Sequence, residues 1–298
     1  MSESSTYIGR FAPSPSGPLH FGSLVAAIAS FLDARANQGT WLVRVEDLDP
    51  AREPEGAADL ILSQLDDFGM RSDQPIVYQS SRLKAYEKAL LKLQKQDLTF
   101  DCACTRQQIK SMGSVYNGAC RSRSEAPIGD FAIRVKIGDK LVKFIDLVQG
   151  PVSQKLSTDI GDFVIKRKDR LFAYQLAVVV DDAFQRITHV IRGFDLLAST
   201  PRQIYLQQVL GFTTPIYAHV PIAVNQLGQK LSKQHFADPV AISNKRILLH
   251  TTLNFLGMSP PISNARLDVD QQLQWGVLNW DIHKVPKLAN IPHNSKAT

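Results

Sequence analysis

Residues 7–23 constrain the fold of this chain more than any other segment. A run of β-forming residues at 7–12 leads into a loop rich in proline and glycine. Apolar residues then recur with helical spacing over 24–32, and Ser23 is expected to cap the first turn of that helix. A strand, a tight loop and a helix N-terminus together favour anion binding, because free backbone N–H groups and the helix dipole point at the ligand.

The same loop brings His20 and Gly22 to the mouth of the predicted anion site. Gly22 allows a nucleotide to approach the backbone, and the imidazole of His20 can donate a hydrogen bond to a phosphate oxygen. His20, Gly22 and Ser23 are therefore predicted to bind a nucleotide phosphate. Taken alone the pattern is weak, since glycines also serve turns and a lone histidine is more often structural.

A second segment, Lys230-Leu231-Ser232-Lys233-Gln234, strengthens this interpretation. Two lysines three residues apart in a polar loop suit a clamp on a polyphosphate, so Lys230, Ser232 and Lys233 are predicted to contact the same nucleotide. By itself such a segment is typical of a solvated basic loop. The combination of the two segments predicts a nucleotide-binding enzyme.

The order of predicted elements indicates an α/β fold with a parallel sheet. Strand patterns at 7–12 and 41–46 flank the first helix, and helical patterns follow at 57–65 and 83–93. From about residue 98 the pattern changes to short strands and turns, which predicts an insertion before the sheet resumes. The remaining expected elements are strands at 131–137, 141–148, 162–165, 187–192 and 216–221, a helix starting at Thr200-Pro201, and one C-terminal helix at 241–256.

Three cysteines, Cys102, Cys104 and Cys120, lie in the predicted insertion, and the chain has no others. Their close spacing is typical of a tetrahedral zinc site with one further ligand. Three buried structural cysteines would give the same count. Asp101 and Glu125 are candidates for the fourth ligand.

Composition argues against a membrane-spanning or disordered chain. Hydrophobic residues make up 44% and charged residues 21%, and no apolar run approaches the roughly 18 residues of a membrane helix. The first residues lack the basic and apolar regions of a secretory signal, so we expect a cytoplasmic protein with reduced thiols. A formal net charge of +6 suits a polyanionic partner, or serves only solubility.

The two loop segments resemble the HIGH and KMSKS signatures of class I aminoacyl-tRNA synthetases, here His20-Phe21-Gly22-Ser23 and Lys230-Leu231-Ser232-Lys233-Gln234. The second segment departs from the family consensus at Leu231 and Gln234. The resemblance covers roughly residues 7–240. Further segments are similar to the glutamyl branch of that family: Arg10 with Ala12-Pro13-Ser14-Pro15, Val45-Glu46-Asp47-Leu48-Asp49-Pro50 with Arg52, Tyr174, Val179-Val180-Asp181-Asp182 and Val190-Ile191-Arg192-Gly193.

The resemblance implies a Rossmann-like parallel sheet in two halves, 1–97 and 186–240, separated by a zinc-bearing subdomain at 98–185. A short helical segment at 241–298 leaves no room for an anticodon-binding domain, which is a feature of short paralogues of glutamyl-tRNA synthetase. Those paralogues have a tyrosine four residues before the last cysteine, which is Tyr116 here. We therefore expect one structural Zn²⁺ held by the three cysteines and this tyrosine.

The resemblance also implies that the substrates are ATP with Mg²⁺ and L-glutamate. The glutamate α-carboxylate attacks the α-phosphorus of ATP, so His20, Lys230 and Lys233 would catalyse by positioning and by stabilising charge. Guanidinium groups at Arg10 and Arg192 suit the two substrate carboxylates, although without the resemblance both would be interpreted as ordinary ion-pairing residues. The implied glutamate-binding residues are Arg10, Phe11, Ala12, Pro13, Ser14, Glu46, Tyr174 and Arg192.

In the short paralogues the activated glutamate is transferred to queuosine in the anticodon of tRNA(Asp), and we expect the same partner and a monomeric enzyme here. The basic turn at 166–170 is a candidate contact for RNA phosphates, or a plain solvated turn. Three alternatives stay open. They are conventional aminoacylation of the glutamyl-tRNA synthetase type, another nucleotidyltransferase activity, and a non-catalytic, zinc-stabilised RNA-binding remnant of a synthetase.

Overall fold

The computed structural model describes residues 6–113, 115–123, 125, 127–231, 240 and 242–293. Within these ranges, strands and helices alternate through most of the chain. The strands are β1 (Ile8–Phe11), β2 (Thr40–Val45), β3 (Val77–Tyr78), β4 (Thr99–Cys102), β5 (Ala132–Val135), β6 (Leu141–Asp146), β7 (Gly150–Lys155), β8 (Phe163–Lys166), β9 (His189–Gly193), β10 (Ile216–Val220), β11 (Ile222–Val224) and β12 (Asn290–Pro292). The α-helices are α1 (Phe21–Ala36), α2 (Ala57–Asp67), α3 (Leu83–Lys95), α4 (Arg106–Ser111), α5 (Leu156–Asp159), α6 (Tyr174–Phe184), α7 (Thr200–Leu210), α8 (Lys245–Phe255) and α9 (Val269–Asn279).

A seven-stranded sheet in the order β3-β2-β1-β9-β10-β6-β7 forms the centre of the fold. Its neighbouring strands run parallel, except that β6 and β7 form an antiparallel hairpin at one edge. Strand β1 pairs with β2 on one side and with β9 on the other, so the strand order reverses beside it. In α/β sheets such a reversal leaves a crevice at the carboxyl ends of the strands, where ligands bind. The predicted parallel α/β fold is confirmed.

Alternation along the inner strands divides the hydrophobic core between the two faces of the sheet. In β2, Trp41 and Val43 pack with α1, α2, α8 and α9 on one face, whereas Leu42 packs with α3, α6 and α7 on the other. The same alternation separates Val190 from Ile191 in β9. Burial on both faces is typical of parallel strands covered by helices. In the described ranges, no helix combines the length and apolar character needed to cross a bilayer.

The segment predicted as an insertion contributes to two sheets. Strands β4, β5 and β8 form a separate antiparallel sheet. The β6-β7 hairpin instead joins the central sheet, where Asp146 lies opposite Tyr217 of β10. The boundaries 98–185 stay a prediction, and part of this segment belongs to the central sheet.

The C-terminal segment contains more structure than the sequence pattern predicts. Helix α8 agrees with the helix expected at 241–256, whose first residue lies outside the described ranges. Helix α9 is missed because its glutamines conceal the apolar face formed by Val269 and Leu273. Strand β12, also missed, pairs in parallel with β11, and the ring of His293 stacks on Phe21 with centroids 3.7 Å apart.

Gly257, which follows α8, lies where a side chain has no room. Its φ is +81°, and a Cβ atom there would lie 2.5 Å from the carbonyl oxygen of Lys284. We expect Gly257→Ala to destabilise the protein by about 1–3 kcal/mol in urea unfolding. Gly138→Ala is the control, because nothing lies within 4 Å of a Cβ atom at that position. Equal unfolding midpoints for the two variants would contradict this packing of the C-terminal segment.

Candidate active site

The loop between β1 and α1 ends in a reciprocal capping box. The backbone N–H of Ser23 donates to Nδ1 of His20 at 3.2 Å, and the backbone N–H of His20 donates to Oγ of Ser23 at 2.9 Å. The N-cap of α1 is therefore His20, and Ser23 lies at the third helical position. The prediction is wrong in making Ser23 the N-cap, because an imidazole nitrogen takes the acceptor role that a hydroxyl usually has there, and the Ser23 hydroxyl completes the capping box from the third helical position.

This hydrogen bond fixes the tautomer of His20. A neutral imidazole that accepts at Nδ1 carries its proton on Nε2. An anion at the N-terminus of α1 would then meet an N–H donor from the ring in addition to the backbone N–H groups of the first turn. The phosphate-donor role predicted for His20 requires this tautomer.

The second signature segment faces the first across the cleft. A Cβ atom at Gly22 would lie 3.3 Å from the ring of His20 and 3.5 Å from the carbonyl oxygen of Leu231. The two motifs are therefore separated at this point by little more than the space of a methyl group.

Lys230 lies at the rim of the same cleft and is held by an acidic partner. Its Nζ is 2.6 Å from Oδ2 of Asp195, on the segment after β9, and both side chains are partly exposed. An anion bound in the cleft would compete with Asp195 for this ammonium group. Ser232 and Lys233 lie outside the described residues, so their predicted contacts with a nucleotide stay predictions.

A cavity of about 480 Å³ occupies the carboxyl ends of β1 and β9. Its wall brings together the first motif, the loop after β1 and the start of the second motif. The predicted site residues that line it are Arg10, Phe11, Ala12, Pro13, Ser14, His20, Gly22, Ser23, Tyr174, Arg192 and Lys230. We call it the first cavity.

Arg10 is buried, and its guanidinium is already paired. Its Nε and one terminal nitrogen lie 3.2 and 3.4 Å from the two carboxylate oxygens of Asp182, on α6. Arg44 donates to the same carboxylate at 2.8 Å. Although burial opposes it, the two guanidinium groups hold the pKa of Asp182 below its usual value. Arg10 thus forms an internal ion pair, and a substrate carboxylate would have to share it with Asp182.

Glu46 lies beside this ion pair and is tied to the loop after β1. Its carboxylate accepts a hydrogen bond from Arg44 at 3.2 Å, and its backbone N–H donates to the carbonyl oxygen of Pro13 at 2.9 Å. Burial raises the pKa of Glu46, and the guanidinium groups of Arg44 and Arg10 partly offset this. A buried carboxylate of this kind is stabilised by an added positive charge, such as the ammonium group of an amino acid.

Arg192 is also buried, but its hydrogen-bond partners are neutral. Its Nε donates to Nε2 of His219 at 3.0 Å. Its terminal nitrogens donate to the hydroxyls of Tyr174 at 3.3 Å and Thr200 at 2.8 Å, and to the carbonyl oxygen of Leu196 at 3.4 Å. None of the ion pairs found among the described residues includes this guanidinium. Because a buried charge without an opposite partner is unfavourable, Arg192 suits a carboxylate entering from the first cavity.

A second cavity, of about 720 Å³, meets the first at Ser14, Ser16 and Tyr174, which line both. Glu46 lies on its wall and not on that of the first cavity. The other side chains that matter here are aromatic or charged, namely Asp49, Arg52, Glu53, Arg167 and Phe172. Arg167 belongs to the basic turn, and its guanidinium pairs with Asp49 at 2.7 Å and with Asp169 at 2.5 Å.

The three cysteines converge beside the small antiparallel sheet. Their Sγ atoms all lie within 4.8 Å of one another, and those of Cys104 and Cys120 are 3.4 Å apart. Ligand atoms of a tetrahedral Zn²⁺ with bonds of about 2.3 Å lie about 3.8 Å apart. The hydroxyl oxygen of Tyr116 lies 3.5 Å from Sγ of Cys102 and 3.8 Å from Sγ of Cys104, at a distance that suits a fourth ligand.

The protonation of this cluster also suits a metal. Among the described residues, neither Asp101 nor Glu125 joins the group of possible ligand atoms. Although burial opposes it, hydrogen bonding with Tyr116 and Arg134 lowers the pKa of the Cys102 thiol to about 7, which favours the metal-binding thiolate. Burial raises the pKa of Tyr116, so a tyrosinate ligand requires the charge of the metal itself. This donor set could hold one Zn²⁺ with no open position for a reacting water.

Sequence reasoning missed several polar residues around the first cavity. Asp182 appears among the predictions only as part of a segment that is similar to the family. Asp146, Asp195 and His219 are not predicted at all. Their contacts join elements that are distant in the chain, as when the pairing of β6 with β10 brings Asp146 to His219. Asp146, Asp195 and His219 could have been found from the sequence, because each lies near the carboxyl end of a predicted strand, where α/β proteins bind ligands.

Comparison with known proteins agrees with the resemblance in the motifs. A model of the family described as "tRNA synthetases class I (E and Q), catalytic domain" matches residues 8–261. The chain is 47% identical over 291 residues to a protein of Pseudomonas paraeruginosa named Glutamyl-Q tRNA(Asp) synthetase, covering 98% of this chain and 99% of that protein. A protein of the same name from Dechloromonas aromatica is 48% identical, over 96% of this chain and 98% of its own length.

Two solved structures share the fold. The crystal structure of the glutamate-tRNA synthetase of Elizabethkingia anophelis matches with a TM-score of 0.81 at 23% identity, covering 98% of this chain and 69% of that one. A glutamate tRNA ligase of Elizabethkingia meningosepticum, solved in complex with its amino acid, matches with a TM-score of 0.80 at 24% identity. This match covers 98% of this chain and 68% of that one. The likeness of fold therefore extends over nearly the whole chain.

The cysteine cluster leads to a prediction about metal content. Elemental analysis of the purified protein should find about one zinc per chain, as for a single four-ligand site. Cys120→Ser should abolish binding and lower thermal stability, and Tyr116→Phe should weaken binding less because three thiolates remain. Ser122→Ala, at an exposed neighbour, is the control and should keep the metal. A wild-type protein that is fully stable without zinc would refute the site.

Proposed function

Since this chain belongs to the class I tRNA synthetases of the glutamate and glutamine type, a family of ATP-dependent ligases, we propose that it activates L-glutamate with ATP in the absence of tRNA. It then transfers the glutamyl group to queuosine in tRNA(Asp). The names of its relatives, which it matches over nearly their full lengths, support this acceptor.

The observation that carries this proposal is the buried guanidinium of Arg192 in one cavity with the N-terminus of α1. The cavity thereby contains a cation suited to a substrate carboxylate and, in His20, a donor suited to a phosphate. A dicarboxylic amino acid bound between them would bring its α-carboxylate to the α-phosphate of ATP. An amino acid with one carboxylate fewer would leave the buried charge of Arg192 unpaired. Sites of this kind discriminate strongly against substrates that lack the matching group.

In the activation step, an oxygen of the glutamate α-carboxylate bonds to the α-phosphorus of ATP, and pyrophosphate leaves. The carboxylate is ionised at neutral pH, so the step needs no general base. The Nε2–H of His20 and the backbone N–H groups of α1 would stabilise charge on the phosphate oxygens. Lys230, released from Asp195, would contact the departing pyrophosphate together with Lys233. Mg²⁺ bound with ATP supplies further neutralisation of the phosphate charge.

The second cavity supports the transfer step. The activated carboxyl group would lie near Ser14 and Tyr174, where the two cavities meet, with AMP in the first cavity. The acceptor would then approach from the second cavity, where the carboxylate of Glu53 suits a positively charged group on the acceptor. The acceptor hydroxyl oxygen bonds to the glutamyl carbonyl carbon, its proton is released, and AMP leaves with the electrons of the anhydride bond.

Activation without tRNA predicts glutamate-dependent exchange of pyrophosphate into ATP by the purified protein alone. His20→Ala and Arg192→Ala should each lower the exchange rate by on the order of a hundredfold, because each removes a group that contacts a reacting substrate. His283→Ala, at an exposed histidine that lines neither cavity, is the matched control. Exchange that requires tRNA, or that proceeds with another amino acid instead of glutamate, would overturn the assignment.

Transfer to the anticodon predicts which RNA accepts [¹⁴C]glutamate. Transfer RNA(Asp) that carries queuosine should be labelled, and the same RNA with guanosine at that position should not. Labelling should survive removal of the 3′-terminal adenosine and should weaken as salt rises, because phosphate contacts release counterions. Equal labelling of the guanosine form, or loss of labelling with the 3′ adenosine, would favour conventional aminoacylation.

A further inference from the structure

We propose that His219 and Asp146 are positioning residues that fix the direction of the Arg192 guanidinium in the amino-acid site. The inference rests on the proposed function, because it assigns both residues to the binding of a glutamate carboxylate. Both side chains are completely buried behind the first cavity, and neither lines it. They act through Arg192 and do not touch the substrate.

A continuous hydrogen-bonded chain leads from β6 to the first cavity. Oδ2 of Asp146 lies 2.6 Å from Nδ1 of His219, and Nε2 of His219 accepts from Nε of Arg192 at 3.0 Å. Burial above all, and the charge of Arg192, lower the pKa of His219 to about 4, so its ring is neutral at physiological pH. A carboxylate can only accept, so the single ring proton lies on Nδ1 and the lone pair on Nε2.

Backbone hydrogen bonds prevent the carboxylate of Asp146 from turning away from His219. Its Oδ1 accepts the backbone N–H groups of Val148 at 3.1 Å, Gln149 at 2.9 Å and His219 at 3.1 Å. Oδ2 therefore faces the imidazole, and the imidazole presents a lone pair to Arg192. This lone pair accepts Nε–H of the guanidinium, and Oγ1 of Thr200 lies 3.2 Å from the same imidazole nitrogen. One terminal nitrogen of Arg192 then donates to Tyr174, which lines the first cavity.

The substitution Asp146→Asn separates positioning from packing, because it keeps the shape of the side chain and inverts one hydrogen bond. The three backbone donors hold the amide oxygen in the Oδ1 position, so the amide NH₂ must face Nδ1 of His219. Nδ1 then becomes an acceptor and the ring proton moves to Nε2. Nε2–H then opposes Nε–H of Arg192 and can donate only to Oγ1 of Thr200, 3.2 Å away. The hydrogen bond from Arg192 to His219 is lost, and the guanidinium is no longer held through Nε.

We expect Asp146→Asn to raise KM for glutamate in pyrophosphate exchange by on the order of tenfold to a hundredfold, with KM for ATP unchanged. Asp162→Asn is the matched control. Its carboxylate is equally buried and is bonded to Arg121, but it lines neither cavity, so KM for glutamate should keep its wild-type value. An unchanged KM for glutamate in folded Asp146→Asn would overturn the inference.

Two variants of His219 keep the test decisive if Asp146→Asn fails to fold. His219→Gln retains one donor and one acceptor and should bind glutamate nearly as well as the wild type. His219→Leu has neither and should raise KM for glutamate as Asp146→Asn does. Equal KM values for glutamate in the two variants would refute the positioning role.

Nitrogen-15 NMR of the histidine rings tests the hydrogen bonds from Asp146 through His219 to Arg192 without an activity assay. The signal missing from His219→Gln identifies His219, and its proton should lie on Nδ1 in the wild type and on Nε2 in Asp146→Asn. A wild-type ring protonated on Nε2 would contradict the inference. Wild-type protein without glutamate-dependent exchange would instead refute the proposed function, and the NMR result would still decide the hydrogen-bond chain.

Discussion

Two buried guanidinium groups that share the carboxylate of Asp182 hold the floor of the cleft together. Arg10 lies in β1, Arg44 in β2 and Asp182 on α6, so one carboxylate joins two strands of the sheet to the helix that covers them. Losing one partner of a buried set leaves an uncompensated charge, which is far more destabilising than losing a surface ion pair. The position of α6 depends on this pairing, and so does Tyr174, its first residue, which borders both cavities.

Arg10 and Arg192 belong to different hydrogen-bond networks, although each lies near the end of a strand. Arg10 is neutralised inside the protein, whereas Arg192 is surrounded by neutral donors and acceptors. One cation is therefore neutralised within the protein, and the charge of the other is best satisfied by a ligand. Both cations are positioned by contacts within the protein, which favours the proposed activation of glutamate without tRNA.

Features encoded by neighbouring residues could be predicted from the sequence. Strand β1, its loop and α1 follow from one contiguous segment, although the cap is wrong because residue preferences rank histidine below serine there. The segment predicted as an insertion at 98–185 also contains the β6-β7 hairpin, whose strand β6 pairs with β10 of the central sheet. Helix α9 is hidden by its glutamines, and the contact of Asp146 with His219 exists only after β6 and β10 are paired. Such contacts depend on the tertiary fold and leave no periodic pattern in the chain.

The parallel pair β11-β12 connects the end of the described chain to both signature motifs. Strand β11 leads toward Lys230, and β12 lies beside it. His293 follows β12, donates its backbone N–H to the carbonyl oxygen of Val224 at 2.8 Å and stacks on Phe21 of the first motif. Proteolytic cleavage just before β12 would leave every motif residue in the chain and still remove one of the contacts that connect the two motifs. Intact signatures in a clipped protein would then be no guarantee of an intact nucleotide site.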